Sequence, residues 1–493
     1  MYNIPEVKLG IVAVSRDCFP ITLSQRRRAA VVEAFRALGG QITEFETTIE
    51  NENDTMKALD EIAKSDVNAL VVFLGNFGPE GPETLLAEKF NGPVMFVAAA
   101  EENIPVLSSD RGDAYCGMLN ASYNLKLRGV KAYIPEYPVG DAKACAEMIC
   151  DFVPVARALI GVSKLKIITF GPRPYEFLAC NAPIAPLFKL GVNVQENSEL
   201  DLLKAYKEHA NDPRIPEVME DMAKELGEGN KMPGILPKLA QYEITLLDWI
   251  EANKGAAEYV AMANKCWPAF QTEFGFVPCY VNSRLTSRGI PVACEVDIYG
   301  ALSEFIGTCV TGECVTLLDI NNSVPADMYA ERIAGKYNYR ANEVFMGFHC
   351  GNTPICRLTK GTMKYQLIMN RGLENGGEPD ITRGTLEGDI APGAITFYRL
   401  LADKDSTLRS YIAQGEVLPV ATESFGGIGV FAIPEMNRFY RHVLIQQGYP
   451  HHGAVAFGHA GKALFSVIKL LGVDTVCFNQ PAGMLYPTEN PFA

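Results

Sequence analysis

Short unbroken apolar runs alternate with amphipathic stretches through the first third of the chain. "KLGIVAV", "ALVVFLGNFGPEG" and "PVMFVAAA" each hold an uninterrupted apolar segment, as strands buried on both faces do. Between the first two, "SQRRRAAVVEAFRALGG" repeats apolar positions at helical spacing and closes on glycine. Such alternation predicts a mostly parallel sheet covered by helices. The helical stretch "AKACAEMICDFVPVARALIGVSK" closes this domain near residue 162.

A second alternating block begins at "KLKIITFGPRPYEF", a strand running into a Gly-Pro loop. It ends with two informative segments. In "GIPVACEVDIYGALSEFIGTCVTG" a short apolar strand gives way at Glu295 to an amphipathic helix, and "CVTLLDINNS" reads as a strand ending at Asp319. From about residue 335 turn residues multiply ("HCGNTP", "RGLENGGEPD", "EGDIAPG") among short β-rich runs such as "GAITFYRLL" and "GEVLPVAT". The predicted fold class is α/β: two α/β domains over residues 1–162 and 163–334, then a β-rich, barrel-like domain over 335–493.

Composition narrows the function. A formal charge of −14 argues against nucleic acid, because phosphate binding needs concentrated Lys and Arg. The basic cluster Arg26 to Arg28 lies in a helical pattern and reads as a solvated face. No basic segment leads into a long apolar run at the start, and no stretch is long and apolar enough to span a membrane. The 13 cysteines are scattered, several inside apolar runs, with no C-x-x-C pair. That pattern predicts reduced, mostly buried thiols in a cytoplasmic protein and excludes a zinc ribbon. "GIVAVSRD" stands where a dinucleotide-binding fold would carry G-x-G-x-x-G, which weighs against a nicotinamide-linked dehydrogenase.

The histidines are unevenly placed. Five of six fall in the last 145 residues, and His451, His452 and His459 share the stretch "HHGAVAFGHAGK". Such a cluster reads either as a turn with hydrogen-bonded core histidines or as part of a metal site completed by carboxylates from elsewhere. Glu295 and Asp319, placed at strand ends where open α/β sheets bind ligands, are the candidates. A carboxylate there equally serves as a helix cap. Two carboxylates with one or two imidazoles suit a divalent ion such as Mn²⁺, whereas zinc more often recruits cysteine.

The spacing of Glu295 and Asp319, followed much later by "HHGAVAFGHAGK", resembles the L-fucose and L-arabinose isomerase superfamily, metal-dependent aldose–ketose isomerases, along essentially the whole chain. The resemblance implies two Rossmann-like domains before the β-rich one. It implies Mn²⁺ (or Mg²⁺ or Co²⁺) held by Glu295, Asp319 and His452, with the two carboxylates as the acid/base pair. It implies substrate contacts from Arg16, Asn76, Phe77, His349, His451 and Asn479, of which Arg16 corresponds to an arginine that reaches a neighbouring subunit's substrate. A homo-hexamer with sites at subunit contacts follows by the same analogy. His459 is expected to be structural, and His442 and His209 to lie in exposed helices.

The pattern departs from fucose isomerases in its tryptophans, which in that family surround the sugar. This chain has only Trp249 and Trp267, neither in the C-terminal domain. The departure opens other aldoses, including D-arabinose and the sulfonated hexose sulfoquinovose. A sulfonate calls for a pocket arginine, with Arg16, Arg284 and Arg399 as candidates. A two-lobed, non-catalytic sugar-binding protein is the alternative of another class; it has no need of a metal-ligand set.

Overall fold

The computed structural model describes residues 3–181, 183–365, 367 and 383–492. The turn-rich stretch "RGLENGGEPD" falls outside them, so that expectation lies beyond the described residues. Two compact units emerge, Pro5–Ile160 and Gly161–Ala493 with Met1–Ile4.

The smaller unit is built on five parallel strands: β1 (Leu9–Val14), β2 (Ile42–Ile49), β3 (Ala69–Leu74), β4 (Val94–Ala99) and β5 (Val139–Gly140). Their order is β2-β1-β3-β4-β5. Every residue of β1, β3 and β4 is buried, as their unbroken apolar runs require. The direction of winding reverses between β1 and β3, which places a crevice beyond their carboxyl ends. Arg16, Asn76 and Phe77 follow those two strands immediately.

The larger unit holds two sheets. Four parallel strands, β6 (Leu165–Phe170), β7 (Asn193–Asn197), β8 (Tyr259–Ala263) and β9 (Val292–Ala293), run in the order β7-β6-β8-β9. The second sheet comprises β10 (Thr316–Ser323), β11 (Val344–His349), β12 (Thr362–Tyr365), β13 (Arg383–Asp389), β14 (Gly393–Ala402), β15 (Leu408–Leu418), β16 (Gly427–Ala432), β17 (His452–Phe457) and β18 (Thr475–Phe478). Pairing of β15 with β16 closes six of them, β16-β11-β10-β17-β14-β15, into a ring. The barrel-like expectation is therefore met, and the ring begins at β10, upstream of residue 335.

Aromatic side chains fill the ring. Phe345 on β11 touches Phe431 on β16 and Phe397 on β14, a strand that is not its neighbour, and Phe397 stacks on Tyr411 of β15. A side chain at Gly453 would come 2.1 Å from the Phe397 ring, so β17 needs glycine there. The helix Ile298–Thr311 packs against β14 and β17 on one side and β8 and β9 on the other. Sandwiched this way, it is buried almost all round, which explains its nearly continuous apolar sequence.

Asp319 corrects one expectation. It sits within β10 rather than at its end, because the strand continues through exposed Asn321, Asn322 and Ser323 by pairing with β11. The apolar run stops at Leu318, where burial stops; the ladder does not. Asp319 instead faces His452 directly in the antiparallel register of β10 with β17.

Among the described residues no helix is long and apolar enough to cross a membrane. All thirteen cysteines are free thiols, as expected, and seven are buried.

Candidate active site

β9 ends at Ala293, and the tight turn Cys294–Val296 follows. Glu295 and Val296 both take left-handed backbone conformations, with φ of 54° and 58°. Residues with a Cβ adopt this region at a cost of about 1–2 kcal/mol each, so the turn holds strain. Its effect is to aim the Glu295 carboxylate at β17. Glu295 Oε2 lies 3.0 Å from His452 Nε2, and Asp319 Oδ1 lies 3.3 Å from the same nitrogen. The three predicted metal residues thus converge on one point.

Their atoms are unsatisfied. Glu295 Oε2, Asp319 Oδ1 and His452 Nε2 are buried without a hydrogen-bond partner, and so is His349 Nε2 at the end of β11. Close contact without hydrogen-bond alignment, at buried polar atoms, is costly unless a further group satisfies them. A divalent cation fits this requirement, since the donors are two carboxylate oxygens and an imidazole nitrogen.

The opposite edge of the His452 ring supports the same reading. Nδ1 lies 2.8 Å from Asp297 Oδ2, which fixes the ring and leaves Nε2 pointing at Glu295 and Asp319. Metal-bound histidines are oriented in this way. Asp297 is anchored in turn by a two-pronged ion pair with Arg399 of β14, at 2.8 and 2.9 Å, and caps the helix Ile298–Thr311 by accepting from Gly300 N. A Cβ at Gly300 would sit 2.7 Å from Asp297 Oδ2, so the cap depends on glycine there. Asp297, Arg399 and His452 are all essentially inaccessible.

The charges reinforce one another. Burial opposes charge on His452, but Asp297, Asp319 and Glu295 overcome it and raise its pKa well above that of a free imidazole. Burial pushes Asp297 and Asp319 up, and their cationic neighbours outweigh it and hold both below the usual carboxylate range. The neighbouring His451 moves the other way, lowered by burial and by His452. Glu304, buried beneath Asp297, is raised well above its usual range by desolvation and by that negative neighbour.

The remaining candidates separate into three groups. His349 stacks on His452 at 6.2 Å, and its ring, Cys294 and Glu295 bring donor atoms within 4.8 Å of one another. His451 Nε2 approaches Asp319 to 3.7 Å. Asn479 takes a different place: Oδ1 accepts from Gln414 N, and Nδ2 donates to Pro434 O, so backbone occupies its amide. In the smaller unit, Arg16 N donates to Asn76 Oδ1, the Arg16 guanidinium pairs with Glu80 and lies 5.4 Å from the Phe77 ring centre. Those three residues form a cluster of their own.

The other histidines each have a neighbour, and His209 and His442 are half-buried rather than exposed. His459 Nε2 lies 3.2 Å from Gly415 O, His442 stacks on Tyr486, and His209 pairs with Asp248.

Sequence reasoning missed Asp297, Arg399's part in holding it, and the aromatic wall. Asp297 was discoverable, because Asp immediately before a helical pattern is an N-cap signal. The wall comes from the loops after β6 and β8. Phe177 meets His451 edge-on at 5.3 Å, and both Phe177 and Tyr175 meet Trp267 edge-on. Trp267 therefore stands one ring removed from the histidines although it lies far from them in the chain.

Comparison with known proteins identifies the domains. Residues 10–163 match the fucose/sulfoquinovose isomerase N-terminal domain, and residues 347–478, which include His452, match the L-fucose isomerase C-terminal domain. The chain is 23% identical to a sulfoquinovose isomerase of Priestia aryabhattai over 482 residues, covering 94% of this chain and 97% of that one. It is 27% identical to a sulfoquinovose isomerase of Clostridium sp. (strain MSTE9) over 230 residues, 46% and 45% of the two chains. A third, from Alkalicoccus urumqiensis, is 23% identical over 338 residues, 68% of this chain and 70% of that one.

Proposed function

The chain belongs to the fucose isomerase superfamily, and from that premise we propose that it is an Mn²⁺-dependent aldose–ketose isomerase acting on a free sugar. The observation that carries the reading is the convergence of Glu295, Asp319 and His452 with their inward atoms unpartnered.

Glu295, Asp319 and His452 would hold a divalent cation, which would supply Lewis acidity to the sugar. The chain's own groups account for the rest. Aldose–ketose interconversion removes a proton from C2 and delivers one to C1. The Glu295 and Asp319 carboxylates are the groups assigned to take and return it, a task carboxylates perform when their surroundings separate their proton affinities. Asp297 holds the His452 ring in place, and Arg399 holds Asp297. Phe177, Tyr175 and Trp267 offer apolar surface on the His451 side.

For the substrate, neutral aldoses of the L-fucose and L-arabinose kind are the first reading. Sulfoquinovose is the second, favoured by the names of the relatives. Arg284 and Arg399 are unsuited to a sulfonate, being fully buried and committed to Glu243 and Asp297. Arg16 keeps a partly exposed guanidinium with one carboxylate partner, Glu80, and is the arginine assigned to that role.

The test is incubation with Mn²⁺ and a panel of L-fucose, L-arabinose, D-arabinose and sulfoquinovose, with ketose as the readout. Ketose from any of them supports the proposal. Metal demonstrably bound, with no ketose from any, overturns it; sugar binding without turnover would establish the non-catalytic alternative. The expected assembly is a hexamer, to be read by sedimentation.

A further inference from the structure

A second group of reactive atoms, apart from Glu295, Asp319 and His452, meets at the start of β10. Cys314, between the helix Ile298–Thr311 and β10, places its sulfur 2.9 Å from that of Cys356, in the short turn Ile355–Arg357 that precedes β12. The two differ in access: Cys314 is buried and Cys356 is exposed. Arg357 adjoins both. Its Nε donates to Cys314 Sγ at 3.3 Å, and its guanidinium is steadied by an ion pair with Glu313 and by the face of Phe457, 4.5 Å away.

From this geometry we infer that Cys314 and Cys356 form a reversible oxidation site, a thiol pair that a hydroperoxide converts to a disulfide. The reactive partner is Cys356. Its hydrogen bond with Cys314 outweighs the opposing effect of burial, and with help from Ser287 and Arg357 brings its pKa down to about 6. Cys314 moves the opposite way, raised by Cys356 and by burial, and so keeps its proton. One thiolate and one thiol in contact are the two roles that peroxide-driven disulfide formation requires.

The balance is as follows. The Cys356 thiolate attacks the outer oxygen of the hydroperoxide; the O–O bond breaks, and the alkoxide leaves and takes a proton. Cys356 is now a sulfenic acid, oxidised by two electrons, and the peroxide is reduced to an alcohol. The Cys314 sulfur then attacks the Cys356 sulfur. The S–S bond forms, the S–O bond breaks, and water leaves with the Cys314 proton. Without Cys314 the sulfenic acid would be open to further, irreversible oxidation. The pair's chemical purpose is to stop that ladder at a state a thiol reductant restores.

The test uses the full chain treated with hydrogen peroxide, alkylated, digested and mapped by mass spectrometry. The expected result is a Cys314–Cys356 cross-linked peptide, a mass lower by two hydrogens, and full reversal by dithiothreitol. In Cys314→Ser, and in Cys314→Ala should serine disturb the buried site, Cys356 should gain oxygen and become trappable by dimedone. Cys356→Ser, an exposed substitution, should lose both signals. Alkylation of Cys356 undiminished after peroxide, or a disulfide to any other cysteine, overturns the inference.

Discussion

Two groups of polar side chains gather beyond strands in this molecule, one around Glu295 and His452, the other around Arg16 and Asn76. Each involves the carboxyl end of a parallel strand: Arg16 and Asn76 follow β1 and β3, and Glu295 follows β9. In the smaller unit, Asn76 Oδ1 accepts from Arg16 N and Gly78 N, and Nδ2 donates to Ser15 Oγ. That buried amide ties the two strand ends together and has nothing left to offer; only the Arg16 guanidinium and the Phe77 ring keep accessible surface. In the larger unit, Glu295 Oε2, Asp319 Oδ1, His349 Nε2 and His452 Nε2 are buried atoms without hydrogen-bond partners. Strand-end placement marks where a site can form. Unfulfilled hydrogen-bonding capacity marks where a further group is called for.

The sharpest way to break the comparison is Glu295→Gln. It keeps the shape and removes the charge from the point of convergence, so ketose production should fall by about 10³-fold and bound Mn²⁺ should disappear on elemental analysis. Retained metal with retained turnover would place the site elsewhere.

Next in size is Asp297→Asn. Loss of the group that orients His452 should weaken metal binding by about 10–100-fold. It also strands Arg399 as a buried unpaired cation, which costs about 3–5 kcal/mol of stability. Urea unfolding and metal titration read the two effects separately, and adding Arg399→Met should recover the stability while leaving the metal affinity low.

Arg16→Ala probes the other cluster. Metal stoichiometry should stay at the wild-type level, while KM for sulfoquinovose rises by roughly tenfold, the worth of one charge-assisted contact, and KM for a neutral aldose stays put. A fall in bound metal would show that the two clusters are not the separate things their hydrogen bonding describes.

The smallest effect belongs to His209, an imidazole with a partner. Burial lowers its pKa, but the Ala205 carbonyl and Asp248 raise it above the ordinary value on balance. A raised folded-state pKa stabilises fully below the unfolded value of about 6.5 and ceases to do so as pH climbs through the folded value. His209→Gln should therefore lower the urea midpoint at pH 6 and leave it unchanged at pH 9. The pair is part-exposed, so the difference should not exceed about 0.5 kcal/mol.

Much of this was legible from residue order. Buried parallel strands announce themselves as unbroken apolar runs, and β1, β3 and β4 do so; β8 does not, because Tyr259–Ala263 lies in a stretch that reads as helical. Glu295, Asp319 and His452 stood out beside apolar runs and in a histidine pair, and the resemblance to the isomerase superfamily joined them into one set; the structure brings their atoms together. What stayed hidden depended on distance in space. The end of β10 was misplaced because sequence records burial, and Asn321 to Ser323 are exposed while still paired to β11. Asp297 reads locally as a helix cap and nothing more; its work on His452 and Arg399 exists only after the ring of strands has closed. Trp267 looked remote for the same reason, since Phe177 bridges it to His451 from a loop nearly a hundred residues upstream.

The register of β10 with β17 has a consequence for chain length. Thr316 to Asp319 pair with Val455 to His452 over four consecutive rungs, and the last rung sets Asp319 opposite His452. Side chains alternate between faces along a strand, so sliding β17 by one place would bring His451 level with Asp319 and turn His452 away. Losing one residue from the Gly448–Pro450 turn would thus part Asp319 from His452 while leaving both in the sequence. A change of length far from those rungs leaves the facing pair intact, whereas a change of one residue beside them does not.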